Sequence, residues 1–173
     1  MSILRAIQRY PILIQSFQAG TLMGSGDVIS QIFIERKQVQ NFDWIRPIRF
    51  FGIGFVVVAP TLRVWYSFLD KKFGSKSKLG VLKKVAVDQL VFAPCFLGLF
   101  LTVVGVTQKK TVQEIQTQIK NDYKDIILTN WTVWPAVQVC NFSFVPLQHQ
   151  VLVVQIFALL WNTYMAWKTN RTS

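Results

Sequence analysis

VAVDQLVFAPCFLGLFLTVVGV, from Val85 to Val106, carries one charged side chain, Asp88, in an otherwise apolar run. Wound as an α-helix it is roughly 33 Å long at 1.5 Å per residue. That is enough to cross a hydrocarbon core of about 30 Å. Three more apolar runs flank it: residues 11–34, 48–69 and 147–167. The first is longer than the core of a signal peptide and has no small-residue cleavage site, so it reads as a retained helix. Lipid offers no hydrogen bonds to backbone, which makes each run helical. The expected fold is an all-α membrane protein, a bundle of four transmembrane helices in a single domain over residues 1–173.

Composition agrees. Of 173 residues, 51% are hydrophobic and 16% charged, against about 25% charged in soluble domains. Mean hydropathy is +0.34. The net charge of +11 would point to nucleic acid in a soluble chain. Here the cations lie between apolar runs, as with Lys71, Lys72, Lys76, Lys78, Lys83 and Lys84. The implied partner is a bilayer with anionic headgroups, with no direct nucleic-acid contact. Cys95 and Cys140 lie in apolar segments without metal spacing. His149 is the only histidine. No metal, cofactor or nucleophile-base set is legible, and the chain does not read as an enzyme.

Between the runs lie a polar hinge, 35–46, and a cationic loop, 70–84, with turn residues Gly74, Ser75, Ser77 and Gly80. Residues 109–125 space Val112, Ile115, Ile119 and Ile126 near helical period. They read as an amphipathic helix on the membrane surface before the last span, or as a soluble connecting helix. Residues 131–145 read as a partial or kinked segment ending at Pro146. Pro60, Pro94, Pro135 and Pro146 are the expected kinks. Trp161, Tyr164 and Trp167 suit an interfacial aromatic belt. Arg5 and Arg9 precede the first run without an acid, a weak match to mitochondrial import. A slight excess of cations favours the termini and middle loop on the inner side.

Helical period places polar or small side chains on one face of each helix. The first carries Ser16, Gly20, Gly24, Asp27 and Gln31. The second carries Arg49, Gly52, Val56, Ala59 and Arg63; the third Asp88, Val91, Cys95, Gly98, Thr102 and Gly105, with Gln89 beside Asp88. Trp134, Asn141, Gln148, Gln155 and Asn162 recur at heptad intervals, with Gln138 a turn before Asn141. Gly20, Gly24, Gly52 and Gly98 are the expected packing residues. Depth along an up-down path pairs Asp27 with Arg49 and Asp88 with Arg63, offsetting the cost of burial. Such faces tie helices together, or they line a hydrated path; residue types alone do not separate the two.

At these residues the chain resembles the Mpv-seventeen and peroxisomal membrane protein family. The resemblance rests on Gly24-Ser25-Gly26-Asp27 with Gln31, Asp43-Trp44 with Arg46 and Arg49, Pro60 with Trp65-Tyr66, and Asp88-Gln89 with Pro94. Most specific are Trp131-x-x-Trp134-Pro135-x-x-Gln138-x-x-Asn141-Phe142-x-x-Val145-Pro146 and Trp161-Asn162-x-Tyr164. Lys83-Lys84 and Phe92–Gly98 look especially like the mitochondrial member. The chain departs from the family at Ala59, Arg63 and Gln150, where a Gly, a His or small residue, and an Arg are usual. The resemblance implies a four-span, multi-pass protein of the mitochondrial inner membrane, or in the alternative the peroxisomal membrane. It also implies channel formation and links to nucleotide pools, mitochondrial DNA maintenance, membrane potential and oxidant balance. Two functions follow as expectations: a weakly selective channel for an unidentified small solute or ion, or a non-conducting organiser of inner-membrane complexes. The small-residue faces are compatible with a homo-oligomer.

Overall fold

The computed structural model describes residues 11–74 and 77–170. Arg5, Arg9, Ser75, Lys76 and Arg171 lie outside them. The described chain is helical throughout: α1 (Pro11–Ile29), α2 (Ile45–Ile53), α3 (Ala59–Phe73), α4 (Lys78–Val87), α5 (Ala93–Thr107), α6 (Val112–Phe144) and α7 (Leu147–Asn170). Single π turns, Ser30–Ile34, Gly54–Val58 and Asp88–Phe92, extend α1, join α2 to α3, and join α4 to α5. Among the described residues, three stretches are long and apolar enough to cross a membrane: Ile45–Phe73, Lys78–Thr107 and Leu147–Asn170.

Two of the π turns have a local cause. Pro60 and Pro94 lack an N–H, and each ring would strike the carbonyl four residues back. Widening the preceding turn relieves both problems. Ala59 N–H donates to Gly54 O, and the Ala93 cap N–H to Asp88 O, each spanning five residues. The extra residue displaces everything beyond it by about 100° around the axis. The expected third face is therefore overturned. Val91, Cys95 and Thr102 are exposed, while Ala93, Leu97, Phe100, Leu101 and Val104 are buried. In the second helix the buried side is Arg46, Phe50, Ile53, Gly54, Val58, Leu62 and Tyr66, with Arg49 only half-buried.

The chain forms two compact units. One takes residues up to Ser67 with Gln148–Trp167; the other takes Phe68–Leu147 with Lys168 onward. In the first, α1 packs along α2 and the following π turn. The helices meet backbone to backbone: a Cβ on Gly54 would lie 2.8 Å from Gly20 Cα, and one on Gly20 2.8 Å from Phe51 O. Gly24 also faces Pro47 O, as expected of a packing residue. Gly52 and Gly98 have open space instead, because the true helix phase turns them away. In the second unit α6 packs on α4, the π turn and α5.

Residues 109–125 and 131–145 are not separate pieces. They belong to one 33-residue helix, α6, which carries Pro135 inside it. Its start is built tightly. Lys109 adopts a left-handed φ of 59°, and Lys110 N–H returns to Gly105 O at 3.0 Å, a Schellman closure of α5. Thr111 and Glu114 then form a capping box, doubly satisfying the first N–H groups of α6. Pro146 does separate two helices, as expected. The cationic loop is shorter than expected, since α3 runs to Phe73 and α4 begins at Lys78.

Large apolar side chains such as Val56, Val64, Leu90 and Leu160 are 68–80% exposed, while many carboxamides are buried. That is the distribution of a protein solvated by lipid. One prediction follows from the α5–α6 turn. Lys109→Gly removes the Cβ penalty of the left-handed conformation, worth roughly 1 kcal/mol. The variant is expected to unfold at higher temperature in detergent, read by circular dichroism; an unchanged or lower midpoint contradicts the assigned turn.

Candidate functional site

Among the described residues, one buried polar cluster in each unit gathers side chains that the sequence singles out. The first begins on α1. Steps of three and four bring Asp27 and Gln31 to the face that packs on α2, and both are fully buried. Arg46, not Arg49, meets them. Its Nε donates to Asp27 Oδ1 at 2.6 Å. Its two terminal nitrogens grip Glu35 Oε2 at 2.9 Å and Oε1 at 2.6 Å, the bidentate fit of guanidinium to carboxylate. Gln31 bridges Asp27 Oδ2 at 2.9 Å and the Asp43 backbone in both directions. Asp43 Oδ1 accepts from the N–H groups of Ile45 and Arg46, capping α2. The cap fixes where α2 starts and so turns Arg46 inward. This is why the Asp27–Arg49 pairing fails.

Glu35 lies outside the spanning helices. Partial burial pushes its carboxyl up. The hydrogen bonds and charge of Arg46, with bonds from Ser30 and Lys37, outweigh that and hold it at about 2. The cluster is closed: every polar group in it has a partner among the others. It locks two helix ends and offers no open coordination to a solute.

The second cluster lies along α6. Asn130, Trp134, Gln138 and Asn141 fall on one buried face at steps of four, four and three. Opposite them the π turn at Asp88 presents Asp88 and Gln89. Asp88 Oδ2 accepts from Gln89 Nε2 at 2.8 Å and from Gln138 Nε2 at 3.1 Å. Asn130 Nδ2 donates to Gln89 Oε1 at 3.0 Å, and Trp131 Nε1 to the Gln89 carbonyl at 2.9 Å. Asn141 Nδ2 donates to Gln138 Oε1 at 3.2 Å. Asn141 Oδ1 is buried with no hydrogen-bond partner among the described residues.

The structure thus brings together Asp88, Gln89, Gln138 and Asn141, with Trp134 on the same face; helical period places Gln138 with Asn141 but does not join them to Asp88. Arg63 is placed differently: it donates to Gln15 Oε1 at 2.9 Å in the first unit, in place of the expected Asp88. Asn162, on α7, packs its Cβ where a Cβ on Gly26 would come to 2.8 Å, and its Nδ2 has no partner. Asn130 was missed, although it sits one turn before Trp134. So were the acid partners of two buried lysines. Lys84 Nζ meets Asp70 Oδ1 at 2.7 Å, which removes it from the headgroup-facing lysines. Lys168 Nζ meets Asp125 at 3.0 Å and Asp122 at 3.5 Å. Farther along α6, Gln118 accepts from Lys110 and donates to Thr169 O.

Two outcomes test the first cluster. Arg46→Gln strands two carboxylates and is expected to cost on the order of 3–5 kcal/mol, with part recovered by adding Asp27→Asn. Arg49→Gln is expected to stay within about 0.5 kcal/mol of the parent. Thermal unfolding in detergent separates the two, and equal losses contradict the assignment. The second outcome is pH-dependent. Glu35 is lowered on folding, so its contribution is complete above about pH 4.5 and drains as pH falls toward 2. Glu35→Gln is expected to flatten that part of the acid dependence of the unfolding midpoint; an unchanged slope contradicts it.

A model of the Mpv17/PMP22 family matches residues 105–166, the stretch that carries the α6 cluster. The mitochondrial inner membrane protein Mpv17 of Xenopus laevis is 44% identical over 97% of each chain. That of Homo sapiens is 41% identical over 96% of this chain and 95% of its own. Protein sym-1 of Neurospora crassa is 38% identical over 91% of each. No solved structure matches the chain. With apolar helices long enough to span, the protein is one of the mitochondrial inner membrane. Near-complete coverage at such identity leaves one conclusion: the chain belongs to the Mpv17/PMP22 family.

Proposed function

We propose that the protein passes small polar solutes or ions across the mitochondrial inner membrane with weak selectivity, along the polar face of α6. The observation that carries this reading is Asn141 Oδ1, a fully buried carbonyl oxygen left without a hydrogen bond. An unmet acceptor at depth costs roughly 1–3 kcal/mol, unless water or a solute serves it. The oxygen does not stand alone. Gln118, Asp122, Asn130, Gln138 and Asn141 are all buried at intervals along α6, on a stripe that winds around the helix, and from the first to the last is about 35 Å of helix. That matches the hydrocarbon thickness. Carboxamides offer donors and acceptors without fixed charge, which suits passage better than tight binding. In this reading α1 with its π turn, roughly 36 Å long, crosses the bilayer as a fourth span beside the three longer stretches. The contribution to mitochondrial homeostasis that the family resemblance implies would follow from such a path.

A second reading is favoured by the first unit. Its closed Asp27–Arg46–Glu35 cluster and the Gly20–Gly54 contact are devices of rigid packing, as a non-conducting organiser would use. Conductance of purified protein in planar bilayers separates the two. Gln138→Leu and Asn141→Leu keep apolar bulk and delete the polar groups. Both are expected to insert and fold, and to change single-channel conductance or open probability. Unchanged conductance in both folded variants removes α6 as the lining; no conductance in the parent supports the organiser.

A further inference from the structure

The connection between α1 and α2 is built inside out. Its acids and Gln31 point inward, Glu35 to Arg46 and Ser30, Gln31 to the Asp43 backbone, Asp43 Oδ1 to the start of α2, while Arg36, Gln38, Gln40 and Asn41 are exposed. Its apolar groups point out. Phe33 is 72% exposed, Val39 79%, Trp44 68% and Ile48 69%. Phe42 and Trp44 pack with their rings tilted at 55° and their centroids 4.6 Å apart. In water this arrangement is unfavourable on both counts. The segment is nevertheless held firmly, because Arg36 takes a left-handed φ of 50° and Lys37 N–H closes onto Gln31 O at 2.9 Å.

Charge completes the picture. Both acids of the segment are already engaged, Glu35 chiefly by Arg46 and Asp43 by backbone N–H groups. Arg36 is exposed, Arg49 is half-buried on the helix face that carries the outward Ile45 and Ile48, and Lys37 rests 3.2 Å from Glu35 with its side chain 29% exposed. The segment leads straight into a stretch long enough to span, Ile45–Phe73. Outward aromatic and aliphatic side chains beside an excess of cations over acids, at the mouth of a spanning helix, match the boundary between acyl chains and headgroups.

We propose that residues 33–49 form an interfacial site for anionic phospholipid, with Phe33, Val39, Trp44 and Ile48 set among the upper acyl carbons and Arg36, Lys37 and Arg49 on the headgroup phosphates. The full chain carrying Cys95→Ser and Cys140→Ser, with a nitroxide on Val39→Cys, is reconstituted in phosphatidylcholine vesicles with and without phosphatidylglycerol. Dissolved oxygen is expected to relax the label more than an aqueous nickel chelate does. Preference for spin-labelled phosphatidylglycerol over phosphatidylcholine is expected to fall about fivefold for each of Arg36→Gln, Lys37→Gln and Arg49→Gln. A label relaxed chiefly by nickel overturns the proposal. So does a preference untouched by these changes but lost on neutralising Lys71, Lys72, Lys78 and Lys83. Should Lys37→Gln or Arg49→Gln misfold, Arg36→Gln alone, on an exposed side chain, decides between the same outcomes.

Discussion

A proline nitrogen carries no hydrogen, and inside a long apolar helix that deficit has to be absorbed by the helix itself. Here the turn before Pro60 and the turn before Pro94 each open by one residue. The cost is local, but the consequence runs to the far end of each helix. Every side chain beyond the turn is rotated by about 100°, so the buried face after the proline is not the continuation of the face before it. Leu62 and Tyr66 in the first unit, and Leu97, Leu101 and Val104 in the second, owe their burial to this offset. The same turns aim side chains: the one at Asp88 presents Asp88 and Gln89 together toward α6. π turns are frequent at functional sites, and this one holds the acceptor side of the α6 cluster.

The two clusters differ in a way that bears on function. Around Arg46, charge is matched to charge with short, bidentate contacts, and the backbone of Asp43 takes up what Gln31 still offers. Such a network is expensive to assemble in apolar surroundings and more expensive to break, so it fixes geometry. Along α6 the groups are mostly neutral carboxamides with longer, single contacts, and Asn141 Oδ1 is left over. Neutral amides cost less to desolvate and exchange partners readily. The first cluster is thus rigid, and the second keeps spare hydrogen-bonding capacity.

Much of this was legible beforehand. Up to its widened last turn the first helix keeps its period, so Ser16, Gly20, Gly24 and Asp27 could be placed on one buried face of α1, with Gln31 at the start of that turn still on it. The Gln138–Asn141 pair on α6 was legible for the same reason, being short enough in sequence for Pro135 not to disturb it. Arg46 was passed over for Arg49 because the choice depends on where α2 starts. That is set by Asp43 capping it, a contact three residues long but visible only once α1 and Gln31 hold Asp43 in place.

The sequence by itself determined that this chain lives in a membrane and that it is helical. Both follow from composition and run length, since lipid leaves backbone polar groups no partner but each other. It also marked Asp27, Gln31, Asp88, Gln138 and Asn141 as polar residues that need burial. Tertiary structure alone decided their partners: Arg46 for Asp27, Gln15 for Arg63, Asp70 for Lys84, and α6 as one helix. Partner choice depends on helix phase, and phase in turn depends on single-residue events, a cap at Asp43 and widened turns before two prolines. Hydrophobic periodicity averages over several turns and cannot resolve a one-residue offset, whereas packing of one helix against another does.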